Sequence, residues 1–343
     1  MENILEVKDL KTYFFSKDCT VKAVDGVSFS IREGETFGLV GESGCGKSAT
    51  CRSIMGLVRE PGRIISGSIK YKGKELFNLP NEDMRKIRGK EIGIIFQEPM
   101  TALNPVIKIK EQIFESFDGK NMTKKQKYDR AIELLRLVGI PMPEERIEEY
   151  CHQFSGGMRQ RAMIAIALAA EPKILLADEP TTALDVTIQD QIIKLINSIK
   201  VKLGMSVILV THDLGVIAQM CDNVAVMYAG YIMEITDTVT LFSKPRHPYT
   251  IGLINSLPTG KEQGSKLEPI QGAPPDLSNL PPGCPFAPRC AFIDEKCTKY
   301  MPEMSVIEPG HQSRCHYLNK TKDVKGLINV EDTIKVDGGG YSE

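Results

Sequence analysis

The sequence predicts an α/β fold in which a parallel sheet carries a glycine-rich phosphate loop. An antiparallel β subdomain, an inserted helical subdomain and a small cysteine-containing C-terminal extension complete it. Three observations predict this arrangement. Apolar runs at 36–40, 91–96, 173–178 and 206–211 are short and nearly unbroken, the pattern of strands buried on both faces. The first run leads through Gly41-Glu42-Ser43-Gly44-Cys45-Gly46-Lys47-Ser48 into a helix opening at Ala49. Helical periodicity dominates between the second and third runs, so the insertion belongs there.

From the N-terminus, 4–13 alternates as a strand, and Val24, Val27, Phe29 and Ile31 recur at period two in a second. Gly26 and Glu33-Gly34 punctuate an antiparallel pair that feeds the strand at 36–40. After the loop helix, 67–74 reads as a short strand and turn, and the strand at 91–96 ends abruptly in Gln97-Glu98-Pro99. Ala131, Leu134, Leu135 and Val138 then keep helical spacing until Gly139-Ile140-Pro141 stops them. Ser155-Gly156-Gly157 opens an alanine-rich helix through Ala170. The run at 173–178 ends in two carboxylates, Asp178 and Glu179, and Asp185 follows in a turn before a helix with Ile192, Ile193, Ile196 and Ile199. The last buried run ends at His212. The expected boundaries are a main domain at 1–245 with its helical part at about 98–170, an extension at 246–320, and a poorly ordered tail at 321–343.

The residue types point to polyphosphate chemistry. Glycines remove Cβ atoms so that backbone N–H groups can turn inward around phosphates, and the helix N-terminus adds free donors and a favourable dipole. Lys47 suits the β- and γ-phosphates, and the Ser48 hydroxyl suits a magnesium ion. Asp178 suits the same ion, usually through water, and Glu179 suits a base that orients the attacking water. Gln97, Glu179 and His212 all sit at carboxyl ends of strands, where α/β sheets meet their ligands. Ser155, Gly156 and Gly157 offer a second anion a hydroxyl and exposed N–H groups, which implies sharing with another subunit. Tyr13 either folds back to stack on an adenine ring or packs a sheet edge with Phe14 and Phe15. Cys45 is either a thiolate favoured by the helix N-terminus or a small filler.

A formal net charge of −1 argues against a nucleic-acid partner. No apolar run approaches the roughly 18 residues of a membrane span. The longest, 162–170, stops at Glu171, and the N-terminus has no signal-peptide pattern. The expected location is peripheral, on the cytoplasmic face of the cell membrane.

These motifs, in this order, resemble the nucleotide-binding subunit of ATP-binding cassette (ABC) transporters over residues 4–245. Gly41 to Ser48 looks like the Walker A loop, Gln97 the Q-loop, Ser155-Gly156-Gly157 the signature motif, and Ile174 to Asp178 Walker B. Glu179 is similar to the catalytic glutamate, Asp185 to the D-loop residue, His212 to the switch histidine and Tyr13 to the adenine-stacking A-loop residue. The signature departs from the family's Leu-Ser-Gly-Gly-Gln at Phe154 and Met158, but Ser155 and both glycines are kept. The resemblance implies a P-loop NTPase of ABC type. ATP would be bound by Tyr13, Gly41 to Ala49, Gln97 and Asp178, with magnesium on Ser48, Gln97 and Asp178. A head-to-tail dimer would sandwich two ATP molecules, each facing Ser155, Gly156, Gly157 and Asp185 of the other subunit.

The C-terminal text narrows the choice. Arg246-His247-Pro248-Tyr249-Thr250, Gly272-Ala273-Pro274-Pro275 and Pro281-Pro282-Gly283-Cys284-Pro285 resemble the dipeptide/oligopeptide importer group, which also contains nickel importers. That group implies two membrane permeases, an extracytoplasmic peptide-binding protein and a homologous second ATPase. Of nine cysteines, Cys284, Cys290, Cys297 and Cys315 crowd this region, separated by five, six and seventeen residues. Four thiolates suit tetrahedral zinc or a [4Fe–4S] cluster, and the spacing matches neither the ferredoxin run nor a paired zinc finger. The resemblance favours iron–sulfur. Three alternatives carry distinct signatures: a nickel or small-solute importer on the same scaffold, a soluble cassette ATPase of repair or translation, and a redox sensor whose ATPase follows its cluster. The second usually has paired cassettes or long coiled coils, which this sequence does not have.

Overall fold

Alternation and unbroken burial sort the strands into two sheets. The computed structural model describes residues 2–118, 120–182, 184–257 and 269–322. The smaller sheet is antiparallel, built from β1 (Asn3–Phe15), β2 (Thr20–Arg32), β4 (Gly62–Tyr71) and β5 (Lys74–Glu75) in the order β2-β1-β4-β5. Its inward row includes Leu5, Val7, Val27, Phe29 and Ile31, as the period-two pattern requires.

The larger sheet comprises β3 (Thr36–Val40), β6 (Ile92–Ile95), β7 (Ile174–Asp178), β8 (Ser206–Thr211), β9 (Asn223–Tyr228), β10 (Tyr231–Asp237), β11 (Ser305–Glu308) and β12 (His311–Ser313). Its order is β11-β12-β10-β9-β3-β8-β7-β6, with parallel pairing from β6 to β9 and antiparallel pairing beyond. Every residue of β3, β7 and β8 is buried. Alternate side chains serve opposite cores, which is why the runs are apolar throughout. Leu175, Ala177, Val207 and Leu209 face the helical core, whereas Ile174, Leu176, Ile208 and Val210 face the core beneath the antiparallel sheet.

Between β6 and β7 lie the helices Pro99–Ala102, Ile109–Glu115, Lys124–Leu137, Pro143–Arg146 and Gly156–Leu168. The periodic Ala131, Leu134, Leu135 and Val138 are all buried. Thr123 starts the helix Lys124–Leu137 with a capping box, its hydroxyl accepting the Gln126 N–H while the Gln126 side chain accepts the Thr123 N–H.

The strand expected at 67–74 begins earlier, at Gly62, because its pairing with β1 continues to Phe14. The extension contributes β11 and β12 to the larger sheet. Glu234 on β10 is fully buried and accepts from the backbone N–H groups of Arg246 (2.7 Å) and His247 (2.8 Å), with the His311 Nε2 of β12 at 2.8 Å. The tail expected at 321–343 lies outside the described residues except for 321 and 322.

Candidate functional site

The glycine-rich loop joins β3 to the helix Lys47–Ile54. Two glycines are there by necessity. A Cβ on Gly46 (φ +107°) would lie 2.1 Å from the Ala23 carbonyl oxygen, and one on Gly41 would lie 2.2 Å from that of Met227. The loop thus seats flush on β2 and the end of β9. Lys47 is buried, and its ammonium donates to the Gly41 and Glu42 carbonyls at 2.8 and 2.9 Å.

Opposite the loop, the end of β7 delivers both carboxylates. The Ser48 hydroxyl donates to Asp178 at 2.8 Å. Burial raises the Asp178 carboxyl above its usual range, with the Glu179 charge adding and the Ser48 hydroxyl opposing. A desolvated carboxylate beside a hydroxyl is a hard oxygen pair, the donor chemistry magnesium takes. Glu179 adopts a left-handed backbone (φ +46°), which turns the chain sharply at the strand's end. Its Oε2 accepts from the Gln97 amide (2.8 Å) and the Thr182 hydroxyl (2.9 Å). Its Oε1 lies 3.9 Å from Lys47 Nζ and 3.6 Å from His212 Nδ1. A cavity of about 430 Å³ opens between Gly41, Glu42 and Ser43 on one side and Glu179 and His212 on the other. The pieces read from strand ends therefore converge on one carboxylate.

Ser155 caps the helix Gly156–Leu168, its hydroxyl accepting the Met158 N–H at 3.3 Å, and it is exposed. The cavities beside the phosphate loop are not lined by Ser155, Gly156 or Gly157. Asp185 caps the helix Val186–Leu203 through the Ile188 N–H at 3.0 Å. Tyr13 is anchored rather than free, since its hydroxyl donates to Asp25 at 2.8 Å. Burial and that carboxylate push its pKa up to about 12. Cys45 is buried, and desolvation holds its thiol above the ordinary range despite Lys47 nearby. A buried thiol of this kind fits a small filler beside the loop.

Cys284, Cys290, Cys297 and Cys315 line one small cavity of about 20 Å³ with His247, Phe286 and His316. The Phe292 N–H donates to Cys290 Sγ and the Tyr317 N–H to Cys315 Sγ, both at 3.4 Å, and the Phe286 N–H bonds Cys284 likewise. Such amide bonds favour thiolate, but burial wins and pushes Cys284 up to about 12 and Cys290 to about 11. The donor chemistry fits a soft metal centre, which would itself have to displace the thiol protons. Yet among the described residues no three His, Cys, Asp or Glu side chains stand as a group that could hold a metal ion. The expectation of zinc or iron–sulfur thus finds four cysteines lining one cavity without a formed coordination sphere.

Sequence reasoning missed Thr182, whose only signal was its position three residues after Glu179 in a turn. It also missed Tyr249, whose hydroxyl accepts the Glu42 N–H at 3.0 Å, and Arg289, which pairs with the Glu42 carboxylate. Both come from the extension, more than two hundred residues downstream in the chain.

A glycine cradle at the end of a parallel strand, facing two adjacent carboxylates at the end of another, defines a P-loop nucleotide-binding fold. Residues 24–182 match the ABC transporter family model, and 233–297 match the oligopeptide/dipeptide transporter C-terminal region. The chain is 51% identical over 317 residues to the oligopeptide transport ATP-binding protein AppD of Bacillus subtilis, covering 92% of this chain and 97% of that one. It is 46% identical over 313 residues to the oligopeptide transport ATP-binding protein OppD of Escherichia coli, covering 91% and 92%. Among solved structures, it resembles the dimeric ATP-binding cassette MJ0796 bound to ADP and Pi, with a TM-score of 0.61 and 27% identity, covering 68% of this chain and 98% of that one. The chain belongs to the ATP-binding proteins of oligopeptide/dipeptide ABC transporters. No described helix is long and apolar enough to cross a membrane.

Proposed function

We propose that this ATPase powers import of dipeptides or oligopeptides from the cytoplasmic face of the membrane. It would work against two permeases, with cargo delivered by an extracytoplasmic binding protein, and pair head to tail with a homologous ATPase. The observation that carries the reading is the placement of Glu179 among Lys47, Gln97, Thr182 and His212 at the mouth of the phosphate loop.

The chemistry follows from that placement. Glu179 accepts a proton from water as the water oxygen bonds the γ-phosphorus and the bond to the β–γ bridging oxygen breaks, leaving ADP and phosphate. Gln97 and Thr182 fix one carboxylate oxygen, and Lys47 offsets phosphoryl charge. Magnesium held by Ser48, Asp178 and Gln97 would neutralise charge on the β- and γ-phosphates. The exposed Ser155 and Gly156, with the half-buried Gly157, suit the partner's nucleotide, and the dimer solved for MJ0796 supports such a pairing.

The test is Glu179→Gln in the purified chain, alone and with its permeases. Hydrolysis should fall by about 100-fold or more while ATP binding persists and the dimer stays closed. Normal turnover removes Glu179 from this role. In reconstituted transporter, peptide-loaded binding protein should stimulate hydrolysis, and stimulation by nickel alone would shift the cargo to metal.

The four cysteines extend the proposal to a [4Fe–4S] cluster on Cys284, Cys290, Cys297 and Cys315, which would cross-link an extension poor in apolar periodicity. Anaerobically purified protein should be brown and contain iron and sulfide. A colourless preparation with stoichiometric zinc overturns it.

A further inference from the structure

We infer that Arg289 of the C-terminal extension is a positioning residue for nucleotide binding, acting through Glu42 of the phosphate loop. Its guanidinium holds the Glu42 carboxylate in a two-pronged pair, Nη1 to Oε2 at 2.6 Å and Nη2 to Oε1 at 3.0 Å. The Arg289 side chain is 5% exposed and that of Glu42 27%. The fork is itself held, since Nε donates to the Gln271 carbonyl at 2.9 Å and Nη1 to the Tyr228 hydroxyl at 3.2 Å. Planar, desolvated pairs of this kind are among the most directional contacts a protein makes.

Its effect reaches the phosphate site by two routes. The Glu42 carbonyl is one of the two that receive the Lys47 ammonium, so locking Glu42 locks the lysine. Arg289 also neutralises a carboxylate within the loop that must accept a polyanion, and an unpaired charge there repels phosphate. The extension further borders the loop at Pro274 to Leu277, which share a cavity of about 290 Å³ with Glu42, Ser43, Gly44 and Cys45. Arg289 ends the turn Ala287–Arg289 and immediately precedes Cys290, which lines the cysteine cavity.

The inference rests on nucleotide binding at Gly41 to Ser48, and equilibrium titration with a fluorescent ATP analogue and magnesium separates the two. Wild-type chain that fails to bind the analogue overturns the nucleotide reading itself. With wild-type binding intact, Arg289→Ala should weaken Kd about tenfold, ~1.4 kcal/mol. Glu42→Gln removes the carboxylate through which Arg289 acts, so Arg289→Ala should add no further loss in that background, and the double variant should bind as Glu42→Gln does. A wild-type Kd for Arg289→Ala, or a tenfold loss on adding it to Glu42→Gln, overturns the inference. Where melting shows Arg289→Ala unfolded, Arg289→Lys keeps the charge and loses the fork. It should give an intermediate Kd, and a wild-type Kd for it overturns the clamp.

Discussion

At the scale of single residues, Glu179 is more heavily supported than its neighbour Asp178. Asp178 meets one hydroxyl, whereas Glu179 is gripped at Oε2 by Gln97 and Thr182 and flanked at Oε1 by Lys47 and His212. Most of this was legible, because Gln97, Glu179 and His212 each end an apolar run and a parallel sheet brings strand ends together. Thr182 was not, since a threonine in a turn carries no periodic signal and its role depends on the backbone reversal at Glu179. Thr182→Ala should lower kcat about tenfold and leave the ATP Kd unchanged, as expected for losing one hydrogen bond to a charged group of about 1.5 kcal/mol. Steady-state kinetics with parallel nucleotide titration checks it. A weakened Kd with unchanged kcat would place Thr182 in binding instead.

Among the elements, those with strong periodicity were read correctly in kind, including the helix Lys124–Leu137, whose apolar positions are all inward. The two strands of the extension could not be read. They are four and three residues long, the first buries none of its residues fully, and the second pairs with a strand nearly eighty residues upstream in the chain. What holds them is a polar knot rather than an apolar pattern. Buried Glu234 gathers the Arg246 and His247 amides and the His311 ring, so β10, the segment before the helix Pro248–Asn255, and β12 meet on one carboxylate. Removing it leaves three buried donors without a partner. Glu234→Ala should cost about 3–5 kcal/mol, read as a fall in urea midpoint, with the cysteine region becoming protease-sensitive first. A loss under about 1 kcal/mol would mean that water or rearrangement satisfies those donors.

Across the whole molecule, the two sheets are joined at Asp25, which also anchors the Tyr13 hydroxyl. Asp25 on β2 is 9% exposed and accepts from Tyr13 of β1 at 2.8 Å and Tyr231 of β10 at 2.6 Å, with Lys11 at 3.3 Å. Sequence offered Tyr13 two roles, and neither included a hydroxyl bridge, because Asp25 and Tyr231 come near only once both sheets form. Burial alone would raise the Asp25 carboxyl, but the Tyr231 and Tyr13 hydroxyls and the Lys11 ammonium outweigh it and hold it below the usual range. A carboxylate lowered in the folded state adds stability that is fully present above its unfolded pKa, about 3.9, and is lost as pH falls through the folded value. Asp25→Asn should therefore lose about 2 kcal/mol at pH 7, where two charge-assisted bonds weaken. It should then lose less than the wild type between pH 4 and pH 2, since the variant has no proton to take up at this site. Urea unfolding at these pH values reads both effects. Parallel acid limbs in the two proteins would show that Asp25 takes up its proton at the same pH folded and unfolded, and the joint between the sheets would have to lie elsewhere.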